Sequence, residues 1–279
     1  MPTIREKQLV MYGIMKEIVR VCDKHNITYY LSGGTLLGAV RHQGFIPWDD
    51  DVDLEMPWKD YKRFLRIAPQ ELPKDLFVQT FYTDPGYPNV FAMVRKSGTT
   101  AMPVSQKDLG IHWGIEVDIF PIVGLYRDQR LYRRQRKLAK RISDVLLIEY
   151  NKREAPEKNR SKPYLVKACG QPLSLRVKEC SALFPLLTKA ARPKEVGLLC
   201  YGLNYRFSAE EYANRVFLPF EDGSFAAPAG YDSILTALYG DYMTPPPEEQ
   251  RGGHELSMGE LIWDLHRDYT EYLSNTPAR

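Results

Sequence analysis

The sequence predicts an α/β or α+β core in its first half, with helical additions after it. Three observations carry that expectation. Met11, Ile14, Met15, Ile18 and Cys22 recur at helical spacing with charges between them. Short β-branched or aromatic runs follow, punctuated by glycine and proline. From residue 128 to about 203 the pattern is mostly helical.

Taken in order, the first helix stops at His25-Asn26, and residues 27–31 read as a strand. Ser32-Gly33-Gly34 breaks that strand, and residues 35–40 read as a short helix entered from the turn. Gly44 and Pro47 punctuate the next loop. Residues 51–56 suggest a half-buried strand and 61–67 a helix, with strands at 77–80, 90–95 and 115–120, the last ended by Pro121. Residues 151–163 are polar and charged, as in an exposed loop. Pro219, Pro228 and the run Pro245-Pro246-Pro247 predict an irregular C-terminal part until a last helix near 258–273. Without an internal repeat, residues 1–279 read as one domain: a core at 1–125, a basic helical region at 126–205 and a C-terminal segment at 206–279.

At 44% hydrophobic and 26% charged residues the chain resembles an ordinary folded soluble protein. A net charge of +3 is too mild to imply a nucleic-acid partner. No apolar run approaches the roughly 20 residues needed to span a bilayer, and Met1 to Gln8 are too charged for a signal peptide. A cytoplasmic protein is expected. Cys22, Cys169, Cys180 and Cys200 form no C-x-x-C pair, which argues against a zinc ribbon or redox motif and for small buried hydrophobes.

Asp49-Asp50-Asp51-Val52-Asp53-Leu54 is the most informative stretch. On a strand, Asp49, Asp51 and Asp53 share one face while Val52 and Leu54 enter the core. Two carboxylates about 4 Å apart repel by roughly 4 kcal/mol at an effective dielectric near 20, and a bound cation removes that cost. Mg²⁺ or Mn²⁺ suits such oxygens. A solvated acidic turn is the plain alternative. A calcium loop is a third, with Asp60 at its twelfth position, but Leu54 stands where that loop needs glycine and Pro57 interrupts it. Ser32-Gly33-Gly34-Thr35, between a strand and a helix N-terminus, suits close approach to a phosphate. Glu116 and Asp118 face away from Ile115, Val117 and Ile119, so Asp118 is a third acidic candidate, as metal ligand or proton acceptor.

Together these pieces resemble the LicD family of lipopolysaccharide choline-phosphotransferases, related to fukutin and fukutin-related protein. The resemblance rests on the unbroken block from Leu31 through Arg41, His42 and Trp48 to Asp53. It also rests on Val117-Asp118-Ile119-Phe120-Pro121, and on Tyr239-Gly240-Asp241-Tyr242-Met243 with Pro246, Pro247, Arg251 and His254. It implies an α+β, nucleotidyltransferase-like mixed sheet flanked by helices. It further implies transfer of a substituted phosphate, typically phosphocholine from CDP-choline, to a hydroxyl of a cell-surface glycan precursor (lipopolysaccharide or teichoic acid, lipid-linked or not). The residues implied for the metal are Asp49, Asp51, Asp53 and Asp118, with Asp51, Asp53 and Asp118 catalytic. Ser32, Gly33, Gly34 and Thr35 would hold phosphate, and Arg41 or Arg95 would offset developing charge. Trp48, Trp58 and Trp113 are candidates for a choline cage or for core packing. The basic run Arg130, Arg133, Arg134, Arg136, Lys137, Lys140 and Arg141 reads either as a solvated helix face or as a face toward an anionic acceptor or the inner membrane surface. A metal-dependent glycosyltransferase and a noncatalytic calcium-binding module are the rival functions.

Overall fold

The computed structural model describes residues 2–190, 193–252 and 260–273. The fold is α+β. Among the described residues the main sheet has seven strands. Its central path is β1 (Tyr30–Leu31), β2 (Asp53–Pro57), β6 (Ile115–Gly124), β4 (Ala92–Lys96) and β3 (Leu76–Gln79), and β7 (Glu195–Leu198) and β8 (Phe207–Ser208) extend it from β6. The β2–β6 pair is parallel and its neighbours are antiparallel, so the sheet is mixed.

Side chains alternate across a strand, and the two sheet faces divide accordingly. Leu54, Met56, Val94, Val117 and Ile119 are fully buried on one face. They pack with Met11, Ile14, Met15 and Ile18 of α1 (Ile4–Lys24) and with Tyr61 and Phe64 of α3 (Trp58–Glu71). Helix α1 begins with a reciprocal cap: the Glu6 amide donates to Thr3 Oγ1 while the Thr3 amide donates to Glu6 Oε2. The other face carries Asp53, Asp118, Glu116 and Arg95, and α2 (Gly33–His42) starts directly beside it. Helices α4 (Gln129–Leu146), α5 (Ile148–Glu154), α6 (Pro163–Cys169) and α7 (Leu173–Leu183) form a second apolar cluster around Ile142, Ile148 and Leu187. All four cysteines are free thiols, with Cys22 and Cys180 buried.

Several expected elements differ. The strand expected at 27–31 is only two residues long. The glycines at 33 and 34 lie inside the first turn of α2 instead of before it. Strand β6 runs through Pro121, because this residue falls between the last β4 pair at Ile119 and the first β7 pair at Ile122, where that edge requires no ladder donor. The loop expected at 151–163 is α5 followed by a 3-10 turn at Pro156–Arg160, held by two buried asparagines; Asn159 Nδ2 donates to the Ile148 carbonyl at 3.0 Å. The irregular C-terminal part contains the hairpin β9 (Arg215–Phe220) and β10 (Gly223–Pro228), then α8 (Tyr231–Tyr239). The last helix is replaced by β11 (Leu261–Asp264), antiparallel to β5 (Thr100–Pro103), and a short α9 (Tyr269–Leu273). Met258 and His254 lie outside the described residues.

Candidate active site

The site sits where α2 begins against β2. The Asp53 amide donates to Thr35 Oγ1 at 2.9 Å, and the Ser32 amide donates to the Asp53 carbonyl at 3.0 Å. Ser32 and Thr35 are both buried and thus tie helix to strand. Gly33 has φ +52, and a Cβ there would lie 2.8 Å from Asp53 Oδ2. A Cβ on Gly34 would lie 2.7 Å from Asp49 Oδ2. The glycine turn therefore lets two carboxylates rest against a helix N-terminus, whose partial positive charge favours them.

Asp53 and Asp118 are register partners on the parallel strands β2 and β6, and the Asp118 amide donates to the Val52 carbonyl at 2.9 Å. Burial raises the Asp53 carboxyl well above its usual range, and Asp51, Asp118, Asp49 and Glu55 push it further. All four expected metal residues are thus electrostatic neighbours. Their backbone differs from the expectation in one respect. Strand β2 starts only at Asp53, so Asp49 and Asp51 are not on its pleat. They belong to a loop whose backbone α1 fixes: Lys7 Nζ donates to the Asp50 carbonyl at 2.7 Å, and Gln8 Nε2 to the Asp49 carbonyl at 2.9 Å. Strand alternation excluded Asp50, yet Asp49, Asp50 and Asp51 each offer a carboxylate oxygen within 4.8 Å of the others. A hard divalent cation fits this all-oxygen, mutually repelling set.

Glu55, on the same face as Asp53, is buried. It accepts from Ser32 Oγ at 3.3 Å, and burial pushes its carboxyl up to about 8. The hydroxyl of Tyr239 comes within 3.8 Å of the space above Gly33. Burial of that phenol, with Asp53, Asp49 and Asp51 beside it, raises it above its usual range. The C-terminal end of α8 thus closes onto the acids. Its signal in the sequence was the Tyr239-Gly240-Asp241 motif.

The two arginines go to different places. Arg41 Nη1 donates to the Tyr242 carbonyl at 2.7 Å, and burial and nearby Arg251 lower its basicity. Arg251 in turn lies over Trp48, 4.9 Å from the ring centroid. Arg95, 3% exposed, donates to the Gly114 carbonyl at 2.7 Å and to Glu116 Oε2 at 3.1 Å, with its Nε on Gln79. The three tryptophans considered for a cage have separate settings: Trp48 beside His42, Trp58 stacked on Tyr61 and Phe184, and Trp113 under Arg95.

Behind Arg95, His112 Nδ1 accepts from the Gly114 amide at 3.0 Å and its ring stacks on Phe77. Burial and Arg95 lower its pKa from 6.5 to about 4. Because the folded state binds this proton less well, its contribution to stability is complete above about 6.5 and is lost as the pH falls toward 4. The wild-type protein will lose stability across that window, by an amount of the order of 3 kcal/mol. Urea melts of His112→Asn, which keeps an acceptor near Gly114, will show a flatter pH slope there.

The nucleotidyltransferase-domain family described as LicD/FKTN/FKRP matches residues 26–123. The lipopolysaccharide cholinephosphotransferase LicD of Haemophilus influenzae is 30% identical over 269 residues, 93% of this chain and 98% of that protein. The chain belongs to the LicD family. Being LicD-like over nearly its whole length, it is a phosphotransferase. More local similarity joins it to the ribitol 5-phosphate transferase FKRP of Homo sapiens, 49% identical over 43 residues, 15% of this chain and 9% of that one. An uncharacterized protein of Rickettsia typhi is 48% identical over 65 residues, 23% of this chain and 21% of that one.

Proposed function

We propose that this LicD-family chain transfers phosphocholine from CDP-choline to a hydroxyl of a cell-surface glycan precursor, as one LicD-type domain spanning residues 1–279. The observation that carries the reading is the clustering of Asp49, Asp51 and Asp118 about Asp53, with Asp49 and Asp53 seated on the glycine-led start of α2. Mg²⁺ or Mn²⁺ held by these carboxylates would polarise the diphosphate. The acceptor oxygen forms a new bond to phosphorus, the diphosphate P–O bond breaks, and CMP leaves with that electron pair. The hydroxyl proton passes to a carboxylate oxygen of Asp118. The α2 N-terminus offers the amides of Gly33, Gly34 and Thr35 to phosphate oxygens, and Ser32, whose amide is bonded to the Asp53 carbonyl, holds that turn against β2. The chain's own contribution is positioning and fixed charge.

The test is CMP release from CDP-choline, CDP-ribitol and CDP-glycerol, with and without glycan acceptors and divalent ions. Acceptor-stimulated, ion-dependent release from CDP-choline is expected. Turnover of UDP-sugars instead would favour the glycosyltransferase, and calcium binding without turnover the binding module.

No helix among the described residues is long and apolar enough to cross a membrane. All seven cations of the α4 run are exposed and lie opposite its buried face of Tyr132, Gln135, Ala139 and Ile142. In our reading this stripe meets the anionic inner membrane surface, where a lipid-linked acceptor resides, each cation adding about 1 kcal/mol. Cosedimentation with anionic vesicles at low salt, lost at high salt, is the expected result. No binding at low salt removes this placement.

A further inference from the structure

A cavity of about 170 Å³ opens beside the acidic cluster, with Asp51 and Asp118 among its lining residues. Strand β11 lies along it, and its walls include Tyr87, Trp113 and Trp263. A drug-sized ligand occupies pockets of roughly 300–1,000 Å³, so this space suits one small ring and is too small for a nucleoside diphosphate.

Its chemistry separates two kinds of small group. Aromatic walls would suit an onium ion if a ring face were free. Here Lys7 Nζ already sits 3.8 Å from the Trp263 centroid, and the Arg95 guanidinium 5.5 Å from that of Trp113. An incoming cation would meet two resident ones. Of the carboxylates on the cavity's walls, Glu116 is ion-paired to Arg95 at 3.1 Å, and Asp50, Asp51 and Asp118 belong to the acidic cluster proposed to hold the metal. What the cavity offers instead is donors. The indole Nε1–H of Trp113 is buried and has no partner among the described residues. Lys7 carries three N–H groups, and its hydrogen bond to the Asp50 carbonyl uses one. Asn89 and Gln106, each with an amide side chain, also line the space. A buried donor without a partner costs about 1–3 kcal/mol, which a ligand oxygen recovers.

We propose that this cavity is the acceptor subsite and takes a single neutral, hydroxyl-bearing sugar ring, one oxygen of which accepts from Trp113 while a hydroxyl faces Asp118. The proposal rests on the transferase reading above and specifies where its acceptor binds. Arg95 and Glu116 offset one another, and the tryptophan and tyrosine surfaces pack the carbon skeleton of the ring.

Saturation-transfer NMR on full-length Asp51→Asn protein separates binding from turnover. The probes are free glucose, galactose, N-acetylglucosamine, N-acetylgalactosamine and choline chloride. At least one sugar is expected to bind, at least tenfold more weakly in Trp113→Phe, which keeps an aromatic wall and removes the N–H. Gln106→Ala, at the partly exposed edge, is expected to weaken the same sugar if the first variant misfolds. Choline is expected not to displace it. No sugar binding, binding undiminished in both variants, or displacement by choline overturns the subsite. CMP release without sugar binding defeats this proposal alone, and sugar binding without CMP release defeats the transferase reading alone.

Discussion

Asp53→Asn will abolish phosphotransfer and will also raise the melting temperature of the protein measured without divalent ions. The two effects have one cause. Asp53 is buried, and the carboxylates of Asp51, Asp118 and Asp49 drive its affinity for a proton upward. Folding the ion-free protein therefore carries either a repulsive charge or an uptake of protons, and an isosteric amide removes both. The backbone bonds that hold residue 53 in place, to Thr35 Oγ1 and from the Ser32 amide, do not involve its side chain. Each kcal/mol recovered raises Tm by roughly 2–4 °C in a chain near this size. Activity goes the other way, because the same carboxylate is a proposed ligand. The loss should exceed the roughly 10–100-fold typical of groups lying behind metal ligands. Wild-type protein will also be stabilised by Mg²⁺ or Mn²⁺, and Asp53→Asn much less so. Calorimetric melts with and without ions, paired with CMP release, check all three effects. An active variant, or a wild-type Tm indifferent to both ions, removes the metal site.

The parts of this site that the sequence made legible are those set by local alternation. Leu54 is fully buried as the pleat requires, Val52 is buried in the loop just before β2, and Val117 and Ile119 oppose Asp118 on β6. The α1 core stripe followed from its spacing for the same reason. The misses share a different origin. Residues 49–52 look like strand, but Lys7 and Gln8, more than forty residues earlier, take the backbone carbonyls of Asp50 and Asp49 and hold the segment as a loop. That tertiary constraint brought Asp50 into the cluster. The partners of Arg95 were likewise invisible, since Gln79, Gly114 and Glu116 reach it from a strand, a loop and another strand. The β9–β10 hairpin left only a displaced signal: its two-residue turn is Glu221-Asp222, with Glu221 at φ +58, and the glycine of the Asp222-Gly223 pair is already the first residue of β10, opposite Phe220.

Replacing the turn glycines will separate folding from catalysis, because the atoms a new methyl group meets are the ends of carboxylates and not backbone. In Gly34→Ala the Cβ would lie 2.7 Å from Asp49 Oδ2, and no positive φ stands against alanine there. An aspartate can rotate away at little cost to the fold, so stability will hold or rise slightly with alanine's helix preference. The rotated carboxylate, however, leaves the cluster. A misplacement of about 1 Å at a reacting centre lowers turnover by the order of 10²-fold, and that loss is expected here. Gly33→Ala adds a second penalty. Its φ of +52 requires a left-handed conformation that costs an L-residue about 1–2 kcal/mol, and its Cβ would lie 2.8 Å from Asp53 Oδ2. It will lose both activity and stability. Gly13→Ala is the control. It lies in α1 with nothing within 4 Å of a new Cβ, so it will gain about 0.5–1 kcal/mol and keep full activity. Denaturant melts and CMP release across the three variants give three different patterns. If Gly34→Ala retained full turnover, the close seat of Asp49 on the α2 N-terminus would have no catalytic consequence, and the turn would serve the fold alone.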